Sequence, residues 1–190
     1  MTLAHPTIAA PEFRRSLEEF ADMQWRPGIK AEEIGSPQRI APFATAIAAD
    51  FEDGSKTLGT GRLILLHDPA GNDSWDGCFR LVSYVHADVD SEMVTDPLLP
   101  EAAWSWLTDA LDAHGARHHL LAGTVTASFG QGFGELSSHQ AEVEVRSSWS
   151  PVLDAQNLIM PHLEAWQDLL SHIAGRPPLP SGVVQFPGRS

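Results

Sequence analysis

The residue types best suited to chemistry in this 190-residue chain fall on two short stretches. His67 and Asp68 are adjacent in the first, and Arg80, Tyr84 and His86 alternate in the second. An imidazole with a carboxylate can do general acid–base work, while a phenol and a guanidinium can orient a substrate or balance its charge. If the two stretches are neighbouring strands, the five side chains could converge on one sheet face as a small-molecule pocket. Everything in that enzymatic alternative depends on which face each residue takes. No catalytic residue is assigned beyond it. The chain has no Gly-x-Ser-x-Gly elbow, and Cys78, without an adjacent His, reads as a small core residue.

Metal and cofactor motifs are weaker still. His114, His118 and His119 lie near Asp109 and Asp112, a donor set that could suit zinc. Gly115 interrupts the helical spacing, however, and His118 and His119 at a strand start point to opposite faces. Asp88, Asp90, Glu92 and Asp96 resemble part of a calcium loop, but Met93 stands where the loop needs glycine and the closing glutamate is missing. A solvated turn is the plainer reading. Gly130, Gly132 and Gly134 lead into a polar run and a strand, so they make a hairpin loop and not a phosphate cradle. Gly59 and Gly61 lie inside a strand pattern and mark a bulge or a close approach to the backbone. No metal and no cofactor is therefore expected.

The elements that would position these residues follow from periodicity. Phe79, Leu81, Ser83, Val85, Ala87 and Val89 give one largely apolar face; Arg80, Tyr84, His86 and Asp88 mark the other. Asp96-Pro97 ends that region, and a helix from Pro100 to His114 carries Ala103, Trp104, Leu107, Ala110 and Leu111 as one stripe, closed by Gly115. Before this unit, a helix from Pro11 to about Met23 is followed by a short extended piece, Ile29 to Ile34. Strands are predicted over Ile40 to Phe51 and Thr57 to His67, the latter apolar on both faces and hence central. Asp68 to Asp73 is a loop of turn residues. After the unit come strands over Leu120 to Phe129 and Ala141 to Trp149, then a helix from near Pro161 to Gly175. The order is α-β-β-β-α-β-β-α. Hairpins dominate it, which predicts a two-layer α+β domain: a mostly antiparallel five-stranded sheet with helices on one face. The domain is expected over 11–175, with a disordered start at 1–10 and a Pro/Gly-rich tail at 176–190.

Composition narrows the functional classes. A formal charge of −13 with only twelve basic residues, two of them Lys, argues against direct nucleic-acid binding and against anionic membrane surfaces. No apolar run approaches the ~20 residues of a membrane span, and the first ten residues lack the pattern of a signal peptide. A single cysteine, with no partner for an internal disulfide, points to a reducing, cytoplasmic setting. The preference for Arg, Ala, Asp and His over Lys, Asn and Tyr suggests a GC-rich bacterial genome. Of the six tryptophans, Trp104 and Trp166 fit core stripes, but Trp106 falls off the Trp104 stripe and is a candidate interface anchor.

Several segments carry a family resemblance: PEFRRSLEE (11–19), RPGIKAEEI (26–34), LLHDPAG (65–71), the run from Trp75 to Ala116, and PHLEAWQDLL with GRPPLPSGV near the end. Together they resemble the DUF3000 family of uncharacterised proteins from high-GC Gram-positive bacteria. The resemblance brings no activity and no catalytic residues. The element order separately resembles the type III secretion chaperone-like fold, which implies a dimer that binds polypeptide without chemistry. The expectation is thus a non-enzymatic cytoplasmic adaptor or chaperone-like module. It is expected to be a homodimer with a possible further protein partner, using Trp106 or a sheet face.

Overall fold

A computed structural model describes residues 9–178 apart from Gln38 and Ser137. The expectations for residues 1–8 and 179–190 lie outside the described residues. Six strands form one sheet: β1 (Ile29–Ile34), β2 (Phe43–Asp53), β3 (Lys56–Asn72), β4 (Gly77–Asp88), β5 (His118–Gln131) and β6 (His139–Pro151). Their order is β1-β2-β3-β4-β6-β5, and every neighbouring pair is antiparallel. The described residues also hold four α-helices, α1 (Pro11–Asp22), the single-turn α2 (Ser91–Val94), α3 (Leu99–Ala113) and α4 (Met160–Ile173), and a 3-10 turn at Gly134–Leu136. The fold is α+β, as expected. The sheet has six strands and not five, because the extended piece Ile29–Ile34 pairs along its whole length with Phe51 to Ala46 of β2.

The strands alternate through most of their length, apart from consecutive buried residues at Thr45–Ile47, Leu65–His67 and Trp149–Pro151, and the odd-numbered residues of β2, β3, β4 and β6 face the helices. Leu63, Leu65, Leu81, Val85, Val145 and Trp149 are fully buried on that face. Each such aliphatic side chain contributes about 1.5–3 kcal/mol by leaving water. Helix α4 lies deepest, with Leu163, Trp166, Leu169 and Leu170 fully buried. The Trp166 indole donates to Ser83 Oγ at 3.0 Å, anchoring α4 on the middle of β4. Its ring fits over Gly61, where an added Cβ would stand 2.7 Å from the ring, and Ala174 sits similarly against Gly59. Close approach, one of the two readings of these strand glycines, is found at both, and the β2–β3 register also shifts beside Gly59. Helix α3 packs beside α4 through Leu99, Ala103, Leu107, Ala110 and Leu111.

Several expected boundaries move: β2 starts at Phe43 and not Ile40, β5 and β6 each run two residues further at both ends, and the turn expected after β4 holds α2. Ala10 is the extended N-cap of α1, and it and Ala9 pack on the core, so packing against the domain starts before Pro11. Asp68-Pro69-Ala70-Gly71 stays within β3, where the pairing with β4 lapses between His67 and Asn72. Pro69 cannot donate to a ladder, and Asp68 Oδ1 instead accepts from the Ala70 N–H at 3.0 Å. The turn comes later, at Asp73 to Asp76.

Candidate functional site: the open face of the sheet

The even-numbered residues of the central strands point away from the helices, and among the described residues no helix crosses this face. Register makes it a grid. One row runs Ile34–Ala46–Ile64–Val82–Ser148–Ala122 across all six strands. The next runs Glu32–Ala48–Arg62–Tyr84–Arg146–Thr124, and the one after it Lys30–Asp50–Thr60–His86–Glu144–Thr126. The apolar row is closed at one side, where Ala46 is buried, and opens toward Val82, which is 37% exposed. A shallow depression of about 590 Å³ follows β4, β6 and β5, lined by Val82, Tyr84, Ala122, Thr124, Arg146 and Ser148. Its floor is low because Ser148 is small between Val82 and Ala122.

The polar groups on this face are organised around Tyr84. The Arg146 guanidinium lies 5.5 Å from the centre of the Tyr84 ring, within cation–π range. Arg146 Nε also donates to Glu144 Oε1 at 2.6 Å. That bond is the main reason the Glu144 carboxyl titrates below its ordinary value. Burial, and after it the Glu144 carboxylate, push the Tyr84 phenol upward. Tyr84 is therefore a neutral, oriented hydroxyl at neutral pH and not an activated base.

The five sequence-predicted pocket residues do not share a site. Arg80, Tyr84 and His86 lie along the open side of β4 as expected, and Asp68 sits in the irregular end of β3. His67 is on the other face and fully buried. Its ring stacks on Phe79 at 4.4 Å between centroids, with Phe13 and Phe43 at 5.3 and 5.8 Å. Nε2 accepts from the Ala10 N–H at 3.0 Å, which leaves Nδ1 to donate to the Cys78 carbonyl at 3.0 Å. Burial lowers the His67 pKa, so the imidazole is neutral and ties the start of α1 to the sheet. Arg80 is likewise committed to structure. It donates to Ser148 Oγ at 2.7 Å, to Ser150 Oγ at 3.1 Å and to the Leu120 carbonyl at 3.0 Å. Leu120 has φ 52°, in the β5 irregularity between His119 and Ala122. Arg80 thus holds a strained edge of the sheet and has few donors left for a substrate.

Trp106 is half-buried, with its ring stacked on His172 at 5.5 Å, so one face of the indole is already occupied. His114, His118 and His119 diverge: His114 bonds Asp168 Oδ2 at 2.9 Å, His118 the Ala116 carbonyl at 2.7 Å, and His119 the Asp76 carbonyl at 2.9 Å. A different group collects donor atoms. One each from His86, Asp88 and Glu142 lie within 4.8 Å of one another, on the open side of β4 and β6. The sequence lists Asp88 and His86 separately and Glu142 over fifty residues later, and only the β4–β6 pairing joins them.

No curated protein and no solved structure matches the chain. The expected likeness to type III secretion chaperones draws no support from these comparisons. One family does match, over residues 9–184, and its description is a protein of unknown function, DUF3000. That match takes in the β4–α3 unit, both sheet edges and α4, all of the segments on which the resemblance was read, and the chain belongs to the DUF3000 family.

Proposed function

We propose that this protein is a non-enzymatic protein-binding module of a reducing, cytoplasmic setting, and that the open sheet face is its binding surface, shared first with a second copy of itself. One observation carries this: the apolar row from Ile34 through Ile64 and Val82 to Ala122, on the sheet face that the helices leave free. An antiparallel sheet with one face in water normally alternates apolar-in and polar-out. Here the outward positions include Ile64 and Val82 side by side, with Ala122 beyond the small Ser148, and an exposed apolar patch on a soluble chain usually marks a contact surface.

Size supports a self-contact of modest strength. The whole outward face of the four strands from β3 to β5, its polar rows included, is on the order of 600 Å² from standard strand spacing and rise. Two such faces give about 1,200 Å², the lower end of specific interfaces. The expected dimer is weak and concentration-dependent. The single unpaired Cys78 favours a reducing compartment. Against the enzymatic alternative stand the separation of His67 from Arg80, Tyr84 and His86, and the structural use of His67 and Arg80.

Sedimentation equilibrium across micromolar concentrations tests this. The wild type is expected to self-associate, and Val82→Glu, at an exposed position, to be monomeric with an unchanged fold by circular dichroism. A wild type that stays strictly monomeric to several hundred micromolar, or a Val82→Glu variant that still dimerises as tightly, would remove the open face as the contact.

A further inference from the structure

We propose that His86, Asp88 and Glu142 form a binding site for a divalent transition metal such as zinc. The site lies toward the acidic end of the open face and does not depend on that face docking a partner. Three features converge. First, the donor set is one imidazole nitrogen and two carboxylate oxygens, a mixed N/O set that suits zinc and similar ions better than calcium or magnesium, which favour oxygen alone. Second, the donors are close. His86 Nε2 and Glu142 Oε2 are 3.5 Å apart, and all three chosen atoms lie within 4.8 Å. A tetrahedral zinc with bonds near 2.1 Å puts its donors about 3.4 Å apart, so only small side-chain rotations are needed to close the shell.

Third, the backbone supplies a reason for a cation. Asp88 and Glu142 are direct cross-strand partners on β4 and β6. Like charges directly opposite one another destabilise a sheet. Among the described residues neither carboxylate is paired with an Arg or Lys, since the nearest arginine on β6, Arg146, is taken by Glu144. The rigid part of the site is good. All three ligands stand on strands, the ladder runs through Asp88↔Glu142, and Val89 N donates onward to the Ala141 carbonyl at 2.9 Å. The His86 ring lies against Tyr84, 6.4 Å between centroids and nearly parallel at 12°, which limits its rotation. Three protein ligands leave at least one position for water, facing solvent.

The test is calorimetric titration of zinc chloride into full-length protein stripped with a chelator, with a thermal melt at each stage. One zinc per chain is expected, with a rise in melting temperature on loading. His86→Ala, Asp88→Asn and Glu142→Gln are each expected to weaken the affinity at least tenfold, the lower end of what loss of even a supporting group costs a metal site. His118→Ala, outside the group, is expected to bind as the wild type does. All three test positions are at least partly exposed, so folding is expected to survive, and circular dichroism checks this. Without metal, Asp88→Asn is expected to melt no lower than wild type, since it removes a like-charge pair. Absence of stoichiometric zinc, equal affinity in all three variants, or loss of binding only in His118→Ala would each overturn the proposal.

Discussion

Trp149 donates its indole N–H to Nδ1 of His162 over 3.1 Å, in a site where His162 is 1% exposed. That bond needs a neutral imidazole. Burial, followed by the nearby His118, pushes the His162 pKa down to about 3, with the Arg117 backbone opposing. In the unfolded chain the same group titrates near 6.5. Above pH 6.5 both states are neutral and the contribution to stability is full. As pH falls from 6.5 toward 3, the unfolded chain takes up a proton that the native chain refuses, so stability drops by about 1.4 kcal/mol per pH unit. Burial shifts His67 the same way, which adds to acid sensitivity. His162→Gln keeps an acceptor for Trp149 and removes one proton from this balance. Urea denaturation at a series of pH values is expected to show its slope between pH 6 and pH 4 reduced by about 1.4 kcal/mol per unit. An unchanged slope would mean that His162 is charged in the native state.

At the scale of elements, the contact between β3 and α4 is set by the absence of a side chain. Gly61 lets the Trp166 ring lie on the strand backbone, and an added methyl carbon would come within 2.7 Å of it. Both ring and strand are fixed, the ring by its bond to Ser83 and the strand by two antiparallel neighbours. Gly61→Ala is therefore expected to cost roughly 1–3 kcal/mol by overpacking, measured as a lower urea midpoint with the slope unchanged. An equally stable Gly61→Ala protein would show that α4 can slide. The glycines, the α3 stripe and the two faces of β4 were all legible from sequence, because they are local and periodic. So was the parity that separates His67 from the pocket: it is odd-numbered, like the core residues Leu63 and Leu65 on the same strand. The adjacency of His67 and Asp68 in the chain hides that, since neighbours on a strand point to opposite faces. The Ile29–Ile34 strand was not legible as a sheet member. Only Ile29 is buried in it, and its partner lies beyond an eight-residue connection. The meeting of His86 with Glu142 was equally hidden, because it depends on β6 and not β5 lying beside β4.

For the molecule as a whole, the competing quantities are an apolar row and a net charge of −13. Two copies brought together repel through that charge, over a distance set by salt. The screening length is about 30 Å at 0.01 M and about 8 Å at 0.15 M ionic strength. Charge pairs across an interface would have the opposite dependence, weakening as salt rises. On the open face, Arg146 is already paired with Glu144 within its own chain, and Arg80 is committed to Ser148, Ser150 and the Leu120 carbonyl. Lys30 is paired with Glu52, and among the described residues of this face Arg62 is the exposed cation without an ion pair. One such cation is outweighed by the net charge, so burial of Ile64, Val82 and Ala122 should dominate and general repulsion should be the opposing force. Raising sodium chloride from about 20 mM to 150 mM is then expected to tighten self-association severalfold, read by sedimentation equilibrium at pH 7.5. Val82→Glu, measured in the same series, is expected to stay monomeric throughout, since salt cannot restore the lost apolar contact. A dimer that loosens as salt rises would show that cross-copy ion pairs hold it together, and would move the contact away from the apolar row.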